Sequence, residues 1–88
     1  MDLEKQFMLS VNLVNNFTKK PSDNELLELY GLYKQSTVGN VNISKPSFFN
    51  FKDCSKWNAW NSKKGFSQRN SMKKYVKLVN NLKESYSN

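Results

Sequence analysis

The sequence predicts an all-α bundle of four helices. Apolar residues recur at spacings of three and four in separate stretches, no stretch alternates apolar and polar residues in the manner of a strand, and capping residues and turn formers fall between the stretches. Eighty-eight residues, 38% of them apolar and 14% aromatic, suffice for one core and no more, so residues 1–88 are expected to form a single domain.

The first helix, expected at roughly 4–17, rests on Leu3, Phe7, Val11, Val14 and Phe17, which recur along one helical stripe. Pro21 disfavours helical geometry in the residue before it and marks a turn. Ser22, followed three residues on by Glu25, is a capping box that opens a second helix, expected at 22–38. Leu26, Leu27, Leu29, Tyr30, Leu32 and Tyr33 are too many apolar positions for one narrow stripe, so this helix is expected to touch two surfaces. Gly39 suits its left-handed C-terminal cap.

From Gly39 to about Asn50, Gly, Asn, Ser and Pro dominate, which predicts a long loop. Exposed Phe clusters are costly in a monomer, so Phe48, Phe49 and Phe51 are expected to anchor the loop by packing against the bundle. Asp53 is read as the N-cap of a third helix, 53–64, with Trp57 and Trp60 on one face. Ser67 caps a fourth, 67–86, whose stripe of Met72, Tyr75, Val76, Val79, Leu82 and Tyr86 is the best formed in the chain.

Several chemistries lack their parts. There is no His and a single Cys, Cys54, which excludes a His-containing zinc site, a Cys/His nucleophile pair and a disulfide framework. No window approaches the roughly 18 apolar residues of a membrane span, Asp2 and Glu4 do not suit a signal peptide, and no acylation or prenylation motif is present, so a soluble intracellular protein is expected. The net charge of +7 is unevenly placed. Residues 1–44 carry four Lys against five acids, whereas residues 45–88 carry ten Lys or Arg against Asp53 and Glu84. The basic half suits an anionic partner: nucleic acid, a membrane surface or a phosphorylated small molecule.

Tyr30, Tyr33 and Lys34 share one face of the second helix at i, i+3 and i+4, while Lys56 lies just before Trp57 and Tyr75 lies on the last stripe. An aromatic plane stacks a base and an ammonium holds a phosphate, so these side chains are candidate ligand contacts. On composition alone, core tyrosines and solvated lysines account for the same pattern more simply.

Read as a whole, the string Pro21-Ser22-Asp23, Leu26 and the run from Tyr30 through Gly31, Leu32, Tyr33, Lys34, Gln35, Ser36, Thr37 and Val38 to Gly39 resembles the signature of the acyl-CoA-binding protein family. Lys56-Trp57-Asn58-Ala59-Trp60-Asn61 is similar to that family's KWxAWN segment, and Gly65, Ser67, Ser71, Met72, Tyr75 and Val76 to its last helix. The resemblance implies an up-down-down-up bundle with the first helix packed on the fourth. It further implies a cytoplasmic monomer that carries and pools long-chain acyl-CoA without catalysis and needs no cofactor. By the same resemblance Tyr33 stacks on adenine, while Tyr30, Lys34, Lys56 and Tyr75 gather at the ribose and 3′-phosphate. Met8, Leu26 and Leu27 are our candidates for the acyl-chain groove. Transient contact with anionic membranes and with enzymes that use acyl-CoA is expected.

The chain departs from the family at Asn15, where many members carry Lys, at Arg69-Asn70, where an acidic pair is usual, at Ser47, where Gly commonly follows the Pro, and at Asn50, where Asp is common. A basic helical nucleic-acid-binding module is the alternative. No RNA-recognition aromatic string, GxxG loop or zinc-finger spacing supports it, and no nucleic acid is expected as a partner.

Overall fold

A computed structural model of the chain, describing residues 2–87, contains four α-helices: α1 (Leu3–Asn15), α2 (Asp23–Thr37), α3 (Phe51–Asn61) and α4 (Gln68–Tyr86). Among the described residues there is no strand, and no helix is long and apolar enough to cross a membrane. The capping box forms as its residues dictate: the Glu25 N–H donates to Ser22 Oγ at 3.1 Å and the Ser22 N–H to Glu25 Oε1 at 2.9 Å. Ser67 caps α4 by accepting from the Asn70 N–H at 3.0 Å. Gly39 and Gly65 adopt φ values of +96° and +95°, the left-handed region that lets the chain turn out of a helix end.

The ends of α1 and α3 differ from expectation. The N–H groups of Asn16 and Phe17 bond to carbonyls three residues back, a tightening that stops α1 two residues early. The same i→i−3 pattern at Lys63, Lys64 and Phe66 ends α3 at Asn61. Asn50, not Asp53, is the N-cap of α3. Its side-chain oxygen accepts from the Asp53 N–H at 3.3 Å while its amide donates to Asp53 Oδ2 at 2.7 Å, so the helix begins half a turn earlier and Asp53 supplies negative charge to its first turn.

Helix directions follow from which residues meet. Phe7 lies against Tyr75, and the Thr18 N–H just past α1 donates to the Tyr86 carbonyl, so α1 and α4 run parallel. Tyr33 meets Tyr75 and Glu25 meets Tyr86, so α2 opposes α4. Tyr30 faces Lys56 and Lys34 faces Trp60, so α3 runs with α2. The order is up-down-down-up. Packing is in series, α1 on α4, α4 on α2 and α2 on α3, and the Cα trace is a slab of 37 × 28 × 15 Å.

Phe7, Leu29, Leu32, Tyr75, Val79 and Leu82 form the buried core, with Val11, Val14, Phe17, Met72 and Val76 packed around it. The α1 and α4 stripes therefore meet each other and the inner face of α2.

The long loop is held differently from expectation. Phe48, Phe49 and Phe51 are 68%, 79% and 73% exposed, and the rings of Phe48 and Phe49 pack on each other at 4.5 Å. The anchors are instead polar hydrogens of α3. Trp60 donates its indole N–H to the Gly39 carbonyl at 2.7 Å, Trp57 to the Ile43 carbonyl at 2.9 Å, and the Cys54 thiol reaches the Pro46 and Ser47 carbonyls at 3.3 and 3.1 Å. Asn40 closes the loop's start by accepting from the Gln35 amide and the Gly65 N–H. A segment that must satisfy its own carbonyls takes donors at fixed heights along a helix, and this leaves the phenyl rings outside.

Candidate functional site

Gly31 decides how closely α2 and α3 approach. A Cβ at this position would lie 2.5 Å from the Ala59 carbonyl oxygen, so only glycine permits this contact of two backbones. On either side of it the seam pairs cations with rings: Lys56 Nζ lies 5.1 Å from the Tyr30 ring centre and Lys34 Nζ 4.8 Å from that of Trp60. Each lysine thus reaches across to a ring on the opposite helix, an attraction worth about 0.5–2 kcal/mol depending on desolvation. Lys63 pairs with Glu28 at 2.6 Å, whereas the charges of Lys34 and Lys56 rest on π faces. An anion of higher charge density would outcompete a ring for either ammonium.

A second group forms where α1, α2 and α4 converge. Tyr33 stacks near Phe7 at 6.0 Å between ring centres, Tyr75 meets Phe7 edge-on at 5.1 Å, and Tyr33 and Tyr75 are 6.4 Å apart. Tyr75 is buried while Tyr33 is 38% exposed, so Tyr33 offers an accessible ring backed by two others. Burial, with neighbouring Tyr33 adding to it, pushes the Tyr75 phenol up to about 12, which keeps its hydroxyl a neutral donor.

Tyr30, Tyr33 and Tyr75, with Val11, Asn15, Leu26 and Leu29, line a cavity of about 330 Å³. Leu26 and Tyr30 also line a larger groove of about 590 Å³ between α2 and α3, together with Leu27, Phe51, Ser55 and Lys56, and with Lys20, Asp23 and Lys52 at its edge. Tyr30 further shares a small cavity of about 200 Å³ with Lys56, Trp57 and Trp60, the last of which carries Lys34 on its face. An aromatic, hydrogen-bonding compartment thus lies beside an apolar trough lined in part by lysines, with Leu26 and Tyr30 common to both. Such a pair of compartments can hold a molecule with a planar, phosphorylated end and a hydrocarbon end.

The five residues expected as head-group contacts therefore lie around this one junction. Leu26 and Leu27 line the groove, but Met8 does not. It lies 55% exposed on a separate cavity of about 610 Å³ with Phe7, Ser36, Arg69 and Met72. Met8 follows Phe7 directly, and one step along a helix turns a side chain through about 100°. Sequence reasoning missed Phe51 and Ser55 as groove walls and Trp60 as the rest for Lys34. Phe51 and Ser55 are at i, i+4, as are Lys52 and Lys56, and the two pairs place an uncharged edge beside a basic one on α3. Reading helix α3 from Asn50 would have exposed this pattern.

Residues 4–79 match the protein-family model described as "Acyl CoA binding protein". The chain is similar to acyl-CoA-binding protein 2 of Saccharomyces pastorianus, 54% identical over 74 residues that cover 84% of this chain and 85% of that one. It is likewise similar to the acyl-CoA-binding protein of Dictyostelium discoideum, 51% identical over 73 residues covering 83% and 87%. The crystal structure of Oryza sativa acyl-CoA-binding protein 2 superposes with a TM-score of 0.91 at 37% identity, covering 94% of this chain and 90% of that one.

Proposed function

Because the chain belongs to the acyl-CoA-binding protein family, we propose that the adjacent cavity and groove hold one long-chain acyl-CoA, head group in the tyrosine compartment and acyl tail in the trough. The protein binds acyl-CoA and is not an enzyme. The observation that carries the placement is the sharing of Leu26 and Tyr30 between the two compartments, which sets them side by side for the two ends of an amphipathic ligand.

In this reading the Tyr33 ring, backed by Phe7 and Tyr75, stacks on adenine. Lys34 and Lys56 leave their aromatic rests for the 3′-phosphate, whose charge they meet with hydrogen bonds stronger than neutral ones. Tyr30 and Tyr75 complete the ribose end with their hydroxyls. Leu26, Leu27 and Phe51 cover the tail, which contributes about 0.8 kcal/mol per buried methylene before ordering costs. The thioester passes through without reaction. Binding raises the amount of acyl-CoA held in solution and moves it as cargo.

The same reading makes residues 1–88 one binding domain acting as a cytosolic monomer, in a compartment where Cys54 stays a thiol. A carrier must also meet the membranes and enzymes that exchange its cargo. Calorimetry with palmitoyl-CoA, free CoA and palmitate tests the proposal. Palmitoyl-CoA should bind far more tightly than either fragment, and equal affinity for palmitate would reject it, because the head group would then contribute nothing.

A further inference from the structure

The loop before α3 exposes two phenyl rings that line neither the cavity nor the groove. Phe48 and Phe49 pack against each other at 4.5 Å and are among the most exposed large apolar side chains described, with Ile43 at 59% exposure on the same loop. Their backbone is not slack. The Cys54 thiol, the Trp57 indole and the N-cap at Asn50 fix the carbonyls of Pro46, Ser47 and Ile43 and the entry into α3. A backbone pinned in this way presents both rings to solvent as one exposed apolar tip, the kind of patch that marks an interaction surface.

The surroundings of the tip are cationic. Residues 45–64 carry Lys45, Lys52, Lys56, Lys63 and Lys64 against Asp53 alone, and the Asp53 carboxylate is engaged by the Asn50 amide. Lys45 and Lys52 flank the exposed rings along the chain, whereas Lys63, paired with Glu28, and Lys64 follow the far end of α3. Phe51, one turn along, is both 73% exposed and a wall of the groove. The apolar tip, Lys52 and the Phe51 wall of the groove therefore lie together at the start of α3.

We infer that the Phe48–Phe49 tip and its lysines are the surface by which the carrier docks on an anionic lipid bilayer, placing the mouth of the groove against the membrane; this rests on the carrier reading above. Aromatic rings settle at the level of lipid headgroups, and each lysine brought near an anionic surface improves partition roughly fivefold. Ammonium groups at varied heights suit a diffuse layer of lipid phosphates and carboxylates. With Phe51 at the boundary, the acyl tail can pass from groove to bilayer along a continuous apolar contact, without crossing water.

The test is co-sedimentation at low salt with phosphatidylcholine vesicles, with and without phosphatidylserine, for the full chain and its Phe48→Ser/Phe49→Ser variant, alongside calorimetry with palmitoyl-CoA free of lipid. The native chain should sediment with the phosphatidylserine vesicles and poorly with phosphatidylcholine alone. The variant should lose about tenfold in anionic-vesicle affinity or more while keeping its palmitoyl-CoA affinity, which also shows that it is folded. Undiminished sedimentation of the variant would overturn the inference and leave the phenyl pair to a protein partner. Equal sedimentation of the native chain with both lipids would overturn it too. Failure of the native chain to bind palmitoyl-CoA in the calorimeter is a separate result that removes the carrier reading and with it the basis for docking.

Discussion

The Lys34 ammonium lies 4.8 Å from the centre of the Trp60 ring, and the indole of Trp60 is fixed by donating its N–H to the Gly39 carbonyl at 2.7 Å. A rigid ring thus holds a mobile charge at the seam of α2 and α3.

Lys34→Ala should weaken palmitoyl-CoA binding about ten- to a hundredfold, since a hydrogen bond to a charged group is worth roughly 1.5–3 kcal/mol. The native chain should lose a similar amount when offered the ligand lacking its 3′-phosphate, and the variant little more. Simple addition of the two losses would mean that Lys34 does not meet that phosphate. Tryptophan emission reports the same event, because withdrawal of Lys34 from the Trp60 face changes the field on the indole; an unchanged spectrum at saturation would speak against the movement.

Asn15 lines the cavity beside Tyr30, Tyr33 and Tyr75, at the position where many family members carry Lys. Asn15→Lys should tighten acyl-CoA binding, by up to about tenfold at low salt and less as salt screens the added charge. Calorimetry at two ionic strengths checks it. A salt-independent change would point to packing.

Gly31→Ala should destabilise the protein even though alanine is the better helix former. The gain of about 1 kcal/mol in propensity is opposed by a Cβ placed 2.5 Å from the Ala59 carbonyl oxygen, and overpacking against backbone costs about 1–3 kcal/mol. The fold responds by moving α3 away from α2, so urea midpoint and acyl-CoA affinity should fall together. A variant as stable as the native chain would show that the two helices part without cost.

Glu25 joins α2 to the end of α4. Its Oε1 accepts from the Tyr86 hydroxyl at 2.5 Å as well as from the Ser22 N–H, and these bonds, that from Tyr86 foremost, hold its carboxyl below the usual value of 4.5. A depressed carboxylate stabilises the fold above its unfolded value, and that contribution is lost as pH falls through the folded one. Tyr75 acts at the other extreme: its phenol is raised, so its contribution is complete below pH 10 and is lost as pH climbs toward about 12. Stability should decline below about pH 4.5 and above about pH 10. The Tyr86 phenol, held by its bond to Glu25, is raised as well, so Tyr86→Phe should flatten the acid limb and soften the alkaline one to the share set by Tyr75, as followed by urea denaturation across pH.

The bundle was legible because its signals are local. Ser22 and Glu25 state a helix start in four residues, and the stripes on α1 and α4 need only a period of 3.6. The five candidate head-group contacts rest on the resemblance, and the structure gathers their side chains around Tyr30. What escaped depends on distant partners. Nothing in the run from Lys45 to Phe51 says that Trp57, Trp60 and Cys54 will satisfy the loop's carbonyls, and once they do, the phenyl rings have no place inside. The error at Asp53 is local instead: Asn50, three residues earlier, competes for the cap and wins by bonding to Asp53 twice. Met8 opens on a different cavity from Leu26 and Leu27, a separation set by how α1 packs on α4, which the sequence does not state.

Because the helices pack in series, α3 touches α2 but neither α1 nor α4. The groove is therefore a joint between an interior beam and an outer leaf. Folding back that leaf leaves the Phe7, Val79 and Leu82 core undisturbed, so its opening free energy is smaller than that of global unfolding. Backbone amides of α3 should exchange hydrogen for deuterium earlier than those of α4, and a bound acyl chain, by clasping the leaf to the beam, should slow α3 most of all.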